Sequence, residues 1–187
     1  MLSSLYTEAE KKQVHWFVMR AYKNEKLAEE KLSSKNGLEH FIPKHYAVRT
    51  YHGKKTRQLV PVIPSLLFVH ASHSQITEFK QTQYNLLQFV VWEGSKGPSY
   101  LIVSDEEMEN FMKVATQMQE KIEYVNPEEI NIKQGTFVRI HGGEMDGVTG
   151  YFMRVKGRRN RRLVILLKGV VAITAEVQPD LVEVIEE

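Results

Sequence analysis

The chain contains no cysteine. Disulfides, iron–sulfur clusters, thiol catalysis and cysteine-ligated zinc are thereby excluded, and the absence fits a reducing compartment. Net charge is scarce too: 25 basic residues face 23 acidic ones, leaving +2. So small an excess gives no global electrostatic footprint, and any nucleic-acid or membrane surface has to come from local clustering. No window approaches the roughly 20 apolar residues that span a bilayer. The start, MLSSLYTEAEKKQVHW, has neither the basic opening nor the apolar core of a signal peptide. A cytoplasmic protein with no membrane association is therefore expected. No G-x-S-x-G, HExxH, Walker A or dinucleotide fingerprint occurs. An enzyme is not expected, and no cofactor is implied.

What is present is ordinary globular material. Hydrophobic residues make up 42% and charged residues 26% of 187 positions, which suits one or two domains. After a polar stretch expected to be flexible (1–13), HWFVMRAY (15–22) has the aromatic and β-branched content of a strand. In 24–37, Leu27, Ala28 and Leu32 recur at helical spacing and Gly37 suits a stop. Residues 38–51 are extended, interrupted at Pro43. HGKK (52–55) reads as the turn of a hairpin with a basic tip, returning through TRQLVPVI. LVPVIPSLLFVHA (59–71) then fails to alternate as a half-buried strand should. Either the chain covers both faces itself, or one face is kept for a partner.

Residues 73–84 suit a short helix and 85–94 a strand. The clearest helix is 104–121, with Ser104 as cap and Glu107 at the capping-box position. Its acidic first turn, Asp105 to Glu107, matches the helix dipole. Met108, Phe111, Met112, Ala115 and Met118 form one stripe. The pattern predicts an α+β fold: an antiparallel sheet with flanking helices over 14–121, a linker over 122–133, and short strands with Gly turns forming a small β-barrel over 134–187.

Two stretches carry chemistry. In GTFVRIHGGEMDGVTGYFMRV (135–155), Gly147 and Gly150 supply backbone freedom between two strands. RVKGRRNRR (154–162) concentrates cations without an acid, and the loop residues Arg158, Arg159, Arg161 and Arg162 can meet phosphates or stand solvated. His40, His45, His52, His70 and His73 lie near one another in sequence, without the carboxylate set of a metal enzyme. Surface or packing roles suit them better, and no metal site is expected.

Val138-Arg139-Ile140, Gly143, Gly147 and Gly150 resemble the KOW motif, which opens a small SH3-like barrel in NusG-type factors and some ribosomal proteins. The first part resembles the NusG amino-terminal (NGN) domain in order. It has a strand with Trp16, Phe17 and Val18, a helix, a segment reaching Pro43, a basic hairpin, the Pro64 to Val69 strand, Phe89-Val90, and a late helix after Ser104. The resemblance covers about 14–187 and looks closest to specialised antiterminators of the RfaH and UpxY types. Ser65 departs from the usual glycine or asparagine after the proline.

The resemblance implies a monomeric transcription elongation and antitermination regulator. It would bind the clamp helices of the largest RNA polymerase subunit and the gate loop of the second-largest, suppressing pausing and termination. In the UpxY type the target operons encode surface or capsular polysaccharide. Carried over, the clamp-helix contact is Ile63, Leu66 and Phe68, exposed in the free protein, while Leu67 and Val69 belong to the core. The gate-loop contact is Ile76, Thr77 and Glu78, with Glu78 departing from the threonine-rich pattern. The non-template DNA strand would meet Arg20, Tyr22, Lys23 and Tyr84. A ribosomal protein or Rho would meet the KOW surface of Phe137, Arg139, Ile140, Met145 and Phe152. A general NusG elongation factor and a ribosome-associated KOW protein binding rRNA are the alternatives.

Overall fold

Val14–Ala21 is the strand on which the first part of the molecule is built, paired on both edges. The computed structural model describes residues 7–22, 25–35, 37–82, 86–94, 97–117, 122–167 and 170–186. The chain divides into two units, residues 1–105 and 106–187. In order, the first contains β1 (Val14–Ala21), α1 (Glu25–Leu32), β2 (Glu39–Phe41), β3 (Lys44–Tyr51), β4 (Lys54–Pro61), β5 (Leu66–Ser72), α2 (His73–Thr82), β6 (Leu87–Phe89), β7 (Val91–Gly94), β8 (Gly97–Tyr100) and β9 (Ile102–Val103).

The main sheet runs β2-β5-β1-β6, with β9 also on β1, and all its pairings are antiparallel. In the β1–β5 register Phe17 faces Val69 and Met19 faces Leu67. These residues share one sheet face, because side chains alternate along a strand. That face packs on Ala28 and Leu32 of α1 and on Ile76 and Phe79 of α2. The opposite face carries Trp16, Val18, Leu66 and Phe68, and all four are buried. β5 fails to alternate because both of its faces are covered. The expected exposure of Leu66 and Phe68 is thus corrected: they are 2% and 0% accessible, while Ile63, before the strand, is half-buried. Trp16 stacks on His70 at 4.8 Å; the other tryptophan, Trp92 on β7, is 56% exposed.

Two hairpins stand apart from this sheet. β3 and β4 pair over eight positions, from Lys44–Pro61 to Tyr51–Lys54. His52 and Gly53 form the turn, with φ of 46° and 76°. Two positive φ values match the primed turn whose twist suits a hairpin. The predicted 85–94 strand is split: β6 joins the main sheet and β7 pairs with β8. Helix α1 ends at Leu32, before the expected Gly37; a side chain at 37 would collide with the Leu32 carbonyl. Residues 7–13, expected to be flexible, include a 3-10 turn at Glu10–Lys12, and the Ser74 hydroxyl donates to Lys11 O (3.2 Å).

The second unit takes in most of α3 (Asp105–Gln117), then β10 (Ile122–Val125), β11 (Thr136–Ile140), β12 (Thr149–Arg154), β13 (Arg161–Leu167), β14 (Val171–Ala175) and β15 (Val182–Val184). Its antiparallel sheet runs β10-β14-β13-β12-β11-β15. Residues 122–133, where a linker is expected, begin with β10 paired along β14 and continue through two 3-10 turns. On α3, Met108, Phe111, Val114 and Ala115 are buried and Met112 is half-buried, while Met118 lies outside the described residues. Asn110 joins α3 to β12: its Nδ2 donates to Thr149 Oγ1 (2.9 Å) and its Oδ1 accepts from Thr149 N (3.3 Å). Gly150 lets β12 and β13 lie close, since a Cβ there would stand 2.7 Å from Val164 O.

Candidate functional site

In the first unit, the candidate residues gather around the turn entering β5. Leu66 N donates to Ile63 O (3.2 Å) across Pro64-Ser65, and Ser65 has φ 65°. A proline followed by a positive φ is the type II pattern, which glycine or asparagine fills with less strain than serine. The turn is fastened from three sides. Arg20 donates to Pro64 O (3.3 Å), Ala21 N donates to Ser65 O (2.8 Å), and Ser65 N donates to the Glu25 carboxylate. The Arg20 contact and the Glu25 anchor at the head of α1 are not readable from sequence spacing, because they join residues about 40 positions apart.

Tyr22, at the end of β1, is exposed. Lys23 and Tyr84, predicted beside it, lie outside the described residues. On α2, Ile76 is fully buried in the core, which corrects its place in a surface contact; the helix turns it inward with Phe79. Thr77 is half-buried and spends its hydroxyl on His73 O (2.8 Å), and Glu78 is exposed. The β3–β4 hairpin presents Tyr46, Val48 and Leu59 to solvent, with the Arg57 guanidinium 4.0 Å from the Tyr46 ring centroid. The strand register places Tyr46 opposite Leu59, a cross-strand pairing that could have been read from the hairpin once its turn was fixed.

His73, Phe89 and Tyr100 form a three-ring cluster, with centroids 5.0 Å (His73–Phe89), 5.2 Å (His73–Tyr100) and 4.6 Å (Phe89–Tyr100) apart. Burial, with Lys11 and Lys80 adding to it, holds the His73 pKa below the usual histidine value. His70 pairs with Glu39 (2.7 Å) and stands 3.6 Å from Asp105. Among the described residues no group of three or more His, Asp or Glu side chains is placed to hold a metal ion.

In the second unit, β11 and β12 set Phe137 against Tyr151 at 5.2 Å, and Phe137 and Phe152 are both half-buried. Arg139 is exposed. Ile140 and Met145 are 0% and 7% accessible, so they belong to the core rather than to a partner surface. Ile140 points inward because strand alternation puts it opposite to Arg139. Met145 is turned in by the 3-10 turn Gly143–Met145, which is closed by Gly147 N donating to Ile140 O (2.8 Å). A cavity of ≈ 390 Å³ lies beside this surface, lined among others by Asn110, Phe137, Arg139, Thr149, Tyr151 and Ile185. In the basic loop, Arg158, Arg159 and Arg161 are exposed. Arg162 is 3% accessible and donates to Thr174 Oγ1 (3.0 Å) and Glu176 Oε1 (2.8 Å). A buried guanidinium needs such partners, so Arg162 is structural.

The family model described as NusG, transcription termination factor nusG, matches residues 14–112, more than half of the 187 residues. The chain belongs to the NusG family. Membership makes it a transcription elongation or termination factor rather than an enzyme, in a family whose members bind RNA polymerase. The NusG match takes in β1 to β9 and the first half of α3, including the turn at Pro64-Ser65 and its anchors. A comparison with curated proteins returns no match. Among the described residues no helix is long and apolar enough to cross a membrane.

Proposed function

We propose that this NusG-family protein is an antitermination regulator that rides on elongating RNA polymerase and suppresses pausing and termination on particular operons, of the surface or capsular polysaccharide type. The observation that carries the reading is the NusG match over residues 14–112. Residues 134–187 act in it as a KOW SH3-like barrel, supported by the five antiparallel strands β11 to β15 and by the Gly-rich turn after Ile140. The factor performs no chemistry. It binds the clamp helices of the largest subunit and the gate loop of the second-largest, favours the closed clamp, and so shifts the population away from the opening that accompanies pausing.

The clamp-helix contact begins at Ile63, which is half exposed on the fastened turn. Leu66 and Phe68 join it only once their face is uncovered. Their burial makes binding weaker by the fraction of molecules in the open form, so a molecule open one time in a hundred binds about 100-fold more weakly than its site allows. Tyr22 stands where an unpaired base of the non-template strand could stack, worth about 1–3 kcal/mol. Arg20 holds the turn beneath it, and Lys23 and Tyr84 complete the DNA contact. Thr77 and Glu78 face the gate loop. A ribosomal protein or Rho meets Phe137, Arg139 and Phe152. The protein acts as a cytoplasmic monomer.

The test offers full-length protein a clamp-helix fragment of the largest polymerase subunit and, separately, ribosomal RNA. Retention on the fragment, lost in Ile63→Asp, is expected. Indifference to the fragment with retention on ribosomal RNA alone overturns the reading in favour of a ribosome-associated role.

A further inference from the structure

The β12–β13 hairpin carries two kinds of cation. Arg158 and Arg162 are engaged: Arg158 pairs with Glu123 on β10 at 2.5 Å, and Arg162 is buried against Thr174 and Glu176 of the β14 segment. Arg154, Lys156, Arg159 and Arg161 are exposed, and among the described residues no carboxylate stands within ion-pair distance of them. Arg154 and Arg161 are direct partners across the two strands. Like charges directly opposite on a ribbon oppose folding, so the sheet gains nothing from this placement and an anion relieves it.

The loop is also built to hold its shape. Val155 is turned into the core beside Met153 and Val164. Arg158 N donates to Val155 O (3.0 Å), Gly157 takes φ 79° between them, and the Arg158–Glu123 pair ties the tip to β10. The four remaining cations are thus presented from a closed turn rather than from a loose tail. Three of them are arginines, whose planar fork matches phosphate oxygens in pairs. The only apolar residue between Arg154 and Arg161 is Val155, which is buried, so the tip offers nothing to enter a bilayer. It offers no aromatic ring to stack on a base either.

We propose that Arg154, Lys156, Arg159 and Arg161 form a binding site for the phosphodiester backbone of a nucleic acid, read without regard to sequence. This site is separate from the polymerase, gate-loop and ribosomal-protein surfaces proposed above, and its test does not involve polymerase.

Fluorescence anisotropy of labelled 20-mers, as single-stranded RNA, single-stranded DNA and duplex DNA, is followed with the full chain from 50 to 200 mM salt. Four contacts on a single strand predict a log–log salt slope of about −3, or about a 50-fold loss of affinity over that range. Arg154→Gln/Lys156→Gln/Arg159→Gln/Arg161→Gln together should abolish that part of the slope. Each single variant should reduce it by about 0.7, which keeps the test decisive should the fourfold variant fold poorly. Comparison of the three probes assigns the source as RNA or DNA, and binding to any of them that the substitutions remove supports the site. Unchanged affinity and slope in the variants overturns it. So does loop-dependent binding to vesicles with anionic lipid headgroups that exceeds binding to every nucleic acid.

Discussion

Phe68→Ala separates a core strand from a partner-facing one. Phe68 is fully buried, lies opposite Val18 on β1, and sits mid-strand between β1 and β2. Truncating a buried phenylalanine costs about 3–5 kcal/mol, from lost transfer energy and the cavity left behind. In a cooperative unit of about 100 residues each kcal/mol moves the melting midpoint by about 4 °C or more, so a fall of at least about 12 °C is expected. Ile63→Ala, at a half-buried turn position, should cost only about 1 kcal/mol. Urea denaturation followed by far-ultraviolet circular dichroism gives both numbers, with an unchanged m-value confirming that stability and not compactness has moved. Were Phe68→Ala to melt within about 2 °C of the parent, the covering of that sheet face would contribute nothing and the argument from burial would fail.

Two further outcomes follow from the same geometry. The folded state holds the His73 pKa below the value of 6.5 kept by the unfolded chain, mainly through burial. The unfolded chain therefore takes up the proton first, and stability should fall as pH drops through about 6.5, levelling off below the lowered folded value. Melting curves at pH 7.5 and 5.5 should show this loss in the parent and a smaller one in His73→Phe, and equal losses would exclude His73 as the cause. Gly150→Ala drives a Cβ toward the Val164 carbonyl at 2.7 Å. It should cost about 1–3 kcal/mol in the second unit, measured by urea midpoint, and a neutral result would show that β12 and β13 can separate freely.

The sequence made most elements legible where local chemistry decided them. The hairpin around His52-Gly53, the helix after Ser104 and the strands on either side of Gly147 follow from turn residues and period. Burial was harder to read, because it depends on what arrives from elsewhere in the chain. Leu66 and Phe68 have the composition of a surface kept for a partner, yet the second face of β5 is covered. Ile140, Met145 and Arg162 show the same limit on a smaller scale. An arginine in a basic run gives no sign that Thr174 and Glu176, a dozen residues on, will enclose it. The strand identity of Ile122–Val125 comes from β14, about 50 residues later, rather than from its own four residues. The Arg20, Glu25 and Ser65 contacts that brace the candidate site belong to the same class.

The two tryptophans give the molecule an optical asymmetry. Trp16 is sealed in the first unit with its indole stacked on an imidazole, whereas Trp92 stands in water on a hairpin. Trp16 should emit at shorter wavelength and resist iodide, while Trp92 should emit like free indole and be quenched. Both lie before residue 106, and the chain has no third. Indole emission therefore follows the NusG-matched half alone. Only Tyr124 and Tyr151 of the eight tyrosines lie in the second unit, and burial in that unit pushes the Tyr124 phenol pKa up to about 12. Far-ultraviolet circular dichroism reads both units, so recording it beside indole emission turns one denaturation into two and tells whether the halves come apart together.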